Sequence, residues 1–112
     1  MNTKDRNLTD YLNDIADNME AVVNFVKDFN YESFEKDTKT QYAVIKAIEI
    51  IGEATRKLPD NFRLKHPNIP WREIEGMRDR LVHDYTGTDV KIVWDTATKD
   101  IPKLQKQLEE IL

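Results

Sequence analysis

Cysteine is absent from this 112-residue chain. That excludes disulfides, thiolate nucleophiles and cysteine-based zinc or iron–sulfur centres, and it suits the reducing cytoplasm. Glycine and proline are scarce, with three and four residues, too few for the many turns of a large β architecture. No run approaches the ~20 apolar residues that a membrane span needs. The opening segment MNTKDRNLTDYLND lacks the apolar stretch of a secretory leader, so a cytoplasmic protein without a membrane partner is expected. A positive net charge is missing as well. The formal charge of −4 argues against a general nucleic-acid coat, whose affinity rests on many Lys and Arg contacts to phosphate.

What is present is patterned. Hydrophobic residues make up 39% and charged residues 34% of the chain, the balance of one domain, residues 1–112, with a modest core and charged outer faces. Leu8, Tyr11, Leu12, Ile15, Met19, Val22, Val23 and Val26 recur at the spacing of an amphipathic helix over about residues 7–28. Residues 30–37 break that pattern, with Phe34 as an anchor into the core, and Asp37 or Thr38 caps the second long helix. From Tyr42 to Ala54 nearly every side is apolar or small, as in a helix packed on more than one face. Leu58-Pro59-Asp60 ends it, a short turn of helix lies between two proline stops, and Pro70 suits the first turn of a third long helix.

That third helix is expected to turn Trp71, Ile74, Met77, Leu81 and Val82 inward and to end near Tyr85, with Gly87 as a left-handed cap. Thr88 or Asp89 starts the fourth. Its apolar positions from Val90 to Ile111 approximate a heptad seam, and Pro102 must kink or restart it. The expected fold is all-α, an antiparallel up-and-down bundle of four principal helices.

Residues 56–83 carry seven basic side chains (Arg56, Lys57, Arg63, Lys65, Arg72, Arg78, Arg80) against four acidic ones, a basic segment in an acidic protein. It marks either one confined anion site or a solvated helix face. Within it, Arg78-Asp79-Arg80-Leu81-Val82-His83-Asp84-Tyr85 is the densest polar constellation. On a continuous helix Asp79 and His83 are i, i+4 neighbours, so the carboxylate can orient the imidazole. Arg78 and Tyr85 then share a face, whereas Arg78 and His83 diverge by roughly 140°. To act on one small target, either the helix ends early or two chains combine. A two-fold dimer would gather paired arginines and histidines around one cleft. There His83 could move a proton and Arg78 could stabilise a charged phosphorane, with no metal or other cofactor. The plainer reading is a histidine at a helix C-terminus and an arginine in a surface ion pair. Spacing alone does not choose.

The run R-x(4)-H-x-Y at Arg78, His83 and Tyr85 resembles the signature of HEPN domains, specifically the HepT-like family. IEIIGEA at 48–54, NIPWREIEGMRDRLVHDYTGTD at 68–89, IVWDT and the IPKLQKQLEEIL tail extend the likeness over the whole chain in order. The resemblance implies a homodimeric all-α ribonuclease toxin acting on RNA such as tRNA or mRNA, paired with a nucleotidyltransferase antitoxin of the MntA type. Arg78 and His83 match the catalytic pair, and Asp79 matches the supporting polar residue. Tyr85 matches the tyrosine that the antitoxin modifies with AMP, placing negative charge beside the cleft. Two rival roles use the same segment: a non-catalytic adaptor binding a nucleotidyltransferase and nucleotides, and a pure dimer interface. Elsewhere, Gly52 is read as allowing a close helix approach and Glu53 as bonding a neighbouring helix. Trp71 and Trp94 are read as core or interface anchors, His66 as a surface loop residue, and Asp10, Asp14 and Asp17 as a solvated face.

Overall fold

A computed structural model describes residues 6–83 and 87–112, the side chains of residues 82–88 apart. Among them the chain is overwhelmingly helical. The first long helix, α1 (Leu8–Val26), starts where Asn7 accepts from the Asp10 backbone N–H while the Asp10 carboxylate accepts from the Asn7 N–H. Such a reciprocal cap is worth about 1 kcal/mol. Asp10 is thereby a capping residue, and Asp14 pairs with Arg6, so only part of that acidic face is simply solvated.

The break at residues 30–37 holds a short helix of its own, α2 (Tyr31–Glu35), which the apolar period does not reveal. Asn30 and Ser33 cap it reciprocally, and its one buried side chain is Phe34. Asp37 then caps α3 (Thr38–Arg56) by accepting from the Thr40 N–H. This helix is the centre of the fold, packing on α1 and α2 and on the later helices. Seven of its residues are buried, from Val44 to Thr55, so its apolar breadth answers to neighbours on several sides.

After Leu58 and Pro59 comes α4 (Asp60–Lys65), then α5 (Trp71–Leu81), whose Trp71, Ile74, Met77 and Leu81 are buried as the spacing predicts. Here the expected boundary fails. Helix α5 ends at Leu81, four residues before Tyr85, and the chain enters a two-residue strand β1 (Val82–His83) paired antiparallel with β2 (Gly87–Thr88). Val82 faces Thr88 and His83 faces Gly87 across the ladder. The Asp89 N–H donates to the Leu81 carbonyl at 3.1 Å. That bond satisfies one of the carbonyls that a helix end leaves open and fastens the start of the next helix to the end of this one.

The last helical rod is α6 (Val90–Asp95), capped by Asp89, then a π-helical turn over Thr96–Asp100, then α7 (Ile101–Glu109). In the wide turn the Ile101 N–H reaches back to the Thr96 carbonyl. Pro102, which has no N–H to give, therefore sits in the first turn of a fresh helix, where none is needed. The proline restarts the helix, as expected. One apolar cluster runs through α1, α2, α3, α5 and the rod, with Ile15, Phe34, Ile48, Ile51, Ile74, Met77 and Ile101 fully buried. None of the helices among the described residues is long and apolar enough to cross a membrane.

Candidate active site

Helices α3 and α5 run antiparallel at close range. Gly52 lies at this contact: a Cβ there would sit 3.1 Å from the Glu75 carbonyl oxygen, closer than an ordinary van der Waals contact, so any other residue would push the two backbones apart by a few tenths of an ångström. The expected role of Gly52 is the observed one. Glu53 departs from expectation, since its carboxylate bonds Arg56 on its own helix. The side chain of the same Glu75 is held by Arg63 of α4, which bonds Asp60 at 2.9 Å and Glu75 at 3.2 Å. The hydrogen bond to Asp60 holds the Arg63 guanidinium above its ordinary pKa, against the opposing effect of burial and with the charge of Glu75 adding to it. Trp71 is a core anchor, its indole N–H donating to the carbonyls of Arg63 and His66 at 3.2 and 3.0 Å. His66 is more than a loop residue, for its ring also packs against Phe62 in a tilted arrangement, with centroids 4.7 Å apart. Trp94 packs against Phe34 at 5.1 Å and Tyr31 at 6.2 Å.

Between α3 and α5 lies an open groove of about 770 Å³. Four cations line it, Lys46, Arg56, Arg72 and Arg78, and four carboxylates, Glu49, Glu53, Glu75 and Asp79. The Arg78 side chain is 54% exposed, with Nε 3.5 Å from Glu49 Oε2 of α3 and Nη1 3.8 Å from Asp79. Two cations near the C-terminus of α5, Arg78 and Arg80, also complement the negative end of its dipole. The basic segment read from the sequence is thus not one anion site. Arg56 and Arg63 are committed to carboxylates, and Arg80 lies in a second, smaller groove with Lys103. Arg72 and Arg78 remain in the first groove.

Because α5 stops at Leu81, the helical relation expected between Asp79 and His83 does not hold. Nor does the 140° divergence of Arg78 from His83, which presupposed a continuous helix. Asp79 is 80% exposed and contacts Arg78 instead. The His83 backbone is held in the ladder opposite Gly87. The His83 side chain and the whole of Tyr85 lie outside the described residues. No group of three or more His, Cys, Asp or Glu placed to hold a metal ion occurs among the described residues.

A second glycine lines the groove for a different reason. Gly76 sits inside α5, yet nothing lies within 4 Å of where its Cβ would be. No contact among the described residues requires it, although glycine in a helix interior costs about 1 kcal/mol relative to alanine.

An all-helical domain whose exposed arginine stands one turn before a helix end carrying R-x(4)-H defines a class, and comparison with known proteins names it. The family model described as "Ribonuclease HepT-like" matches residues 15–111. A protein of Thermococcus cleftensis named "Probable ribonuclease HepT" is 47% identical over 106 residues, 95% of this chain and 96% of the relative. A relative from Methanocaldococcus jannaschii, also named as an RNase, is 44% identical over 96% of this chain and 92% of its own length. Another, from Caldanaerobacter subterraneus, is 46% identical over 91% of both chains. No solved structure matches. The chain belongs to the HepT-like ribonuclease family.

Proposed function

We propose that this chain is an endoribonuclease toxin, a single-domain four-helix bundle that works as a homodimer with a composite site built from Arg78 and His83 of both copies. The observation that carries the reading is the half-exposed Arg78 side chain at the α3–α5 groove, on a helix that ends before His83. A planar, permanently charged fork in an open groove is suited to phosphate. In this mechanism His83 takes the proton from a ribose 2′-hydroxyl or returns one to the leaving 5′-oxygen, and Arg78 neutralises the pentacovalent phosphorane between them. Attack by the 2′-oxygen breaks the P–O5′ bond and leaves a 2′,3′-cyclic phosphate and a 5′-hydroxyl. No step calls on a metal.

Two features favour a second copy at the groove. The lining charges are balanced, four of each sign, so that opposite charges can meet when the face packs on its own copy across a two-fold axis. Gly76 leaves open space within that face, where another backbone could approach. In the cell the same reading has an MntA-type nucleotidyltransferase silence the toxin by transferring AMP from ATP to the Tyr85 hydroxyl, with release of pyrophosphate, which adds negative charge that opposes RNA binding.

Cleavage of total RNA and tRNA in EDTA by the purified protein and its His83→Ala variant tests the reading, with oligomeric state followed in parallel. The expected result is cleavage by the wild type, a loss of about 10³-fold in the variant and an unchanged dimer. A dimer that binds a nucleotidyltransferase tightly and cleaves nothing, with Tyr85 unmodified by mass, would leave the adaptor role instead.

A further inference from the structure

We propose that Glu49 is a positioning residue that aims the Arg78 guanidinium at the RNA phosphate; this rests on the reading of Arg78 given above. Arg78 is near the end of a helix, half exposed, and a free arginine side chain has about 2 kcal/mol of rotamer entropy to lose before it can grip a phosphate. Glu49 removes part of that freedom in advance. Its Oε2 lies 3.5 Å from Nε, the inner nitrogen, so the outer Nη1 and Nη2 are the ones left to bind two phosphate oxygens. Asp79, 80% exposed and 3.8 Å from Nη1, is the looser contact and the one a phosphate would displace.

The pairing is fixed by the packing of two helices. Gly52 meets the Glu75 backbone in the α3–α5 contact. Glu49 is one turn back along α3, and Arg78 is one turn forward along α5. On antiparallel helices these two steps lead to the same place, so the close approach at Gly52 places Glu49 beside Arg78. A carboxylate at this spot is costly for a surface that binds a polyanion, because it repels phosphate and offsets the arginine. As an exposed ion pair it contributes at most about 1 kcal/mol to stability. Positioning accounts for a feature that neither affinity nor stability explains.

The two explanations separate experimentally. The full-length protein is compared with Glu49→Ala, Glu49→Gln and, as a charge control, Asp17→Asn on the exposed face of α1, using a single-stranded RNA oligonucleotide. Positioning predicts that Glu49→Ala lowers kcat about 10-fold to 10²-fold with KM unchanged or lower. Glu49→Gln, whose amide oxygen takes the place of the carboxylate oxygen beside Nε, recovers most of the loss, and Asp17→Asn has no effect. A carboxylate that only repels RNA predicts a lower KM and an undiminished kcat in Glu49→Ala, which overturns the proposal. A second readout does not depend on activity: the Nε–Hε resonance of Arg78 in nitrogen-15 NMR should report a more mobile side chain in Glu49→Ala. An equally ordered Arg78 in that variant also overturns it. Full activity in Arg78→Ala would remove the reading of Arg78 itself, whereas an inactive Arg78→Ala beside a fully active Glu49→Ala removes only the role of Glu49.

Discussion

The two ends of α5 are built on opposite principles. At its start, Trp71 is buried and bonded through its indole to two carbonyls, Arg63 ties Glu75 to α4, and Gly52 lets α3 approach the Glu75 backbone more closely than a side chain there would allow without a shift. Toward its end the inner face stays buried through Met77 and Leu81. The outer face there presents Arg78, Asp79 and Arg80 to solvent, held by little more than one long ion pair. A rigid first half and a lightly tethered charged second half let a single helix serve as both scaffold and tool. The core locks the register, and the exposed end is free to be charged without loss of stability.

Substitutions at the two ends should separate these roles. The largest stability effect is expected at the fixed end, where Trp71→Ala removes a buried ring and its two indole bonds, leaving the carbonyls of Arg63 and His66 only their backbone donors, costing about 3–5 kcal/mol in urea unfolding. If the loss were under about 1 kcal/mol, well below the range for a buried ring, the first half of α5 would not be the anchor described. Next comes Gly52→Ala, expected to destabilise by about 1–3 kcal/mol as the helices part. Because that movement separates Glu49 from Arg78, kcat should fall with it, whereas a change in stability without a change in kcat would uncouple the contact from the site. The smallest effect belongs to Gly76→Ala. With open space around it, the new methyl should stabilise the isolated monomer by about 0.5–1 kcal/mol and weaken self-association in sedimentation analysis. An unaltered dimer would move the interface away from this face.

These contrasts also show what the amino-acid order could and could not disclose. The long helices, the cap at Asp37, the buried positions of α5 and the restart at Pro102 follow from local period and local chemistry, which act within a turn or two. Helix α2 escaped because its five residues are too few to display a period, although the Asn30 and Ser33 pair is a readable cap. The end of α5 escaped for a stronger reason. Val82 continues the apolar spacing, and only its pairing with Thr88 draws it out of the helix, a tertiary preference that overrides a local one. Arg78 could be picked out from its motif. Glu49 could not, since its partner lies far along the chain, on another helix, and their meeting depends on a helix register fixed by Gly52. Gly76 and Gly52 look alike as letters, and only their surroundings distinguish a glycine required by a neighbour from one facing open space.

The wide turn at Thr96–Asp100 gives the final rod an unusual tolerance in one dimension. Elsewhere in a helix, deleting a residue rotates everything beyond it by about 100° and would swing Ile101, Leu104 and Leu108 out of the core. A π turn holds one residue more than an α turn, so a single residue can be lost there with the phase of the flanking segments nearly kept. The rod would then become one continuous α-helix with Pro102 in its interior, which costs about 3 kcal/mol. The spare residue and the proline are therefore a linked pair of characters: the chain can shed both together far more readily than the residue alone.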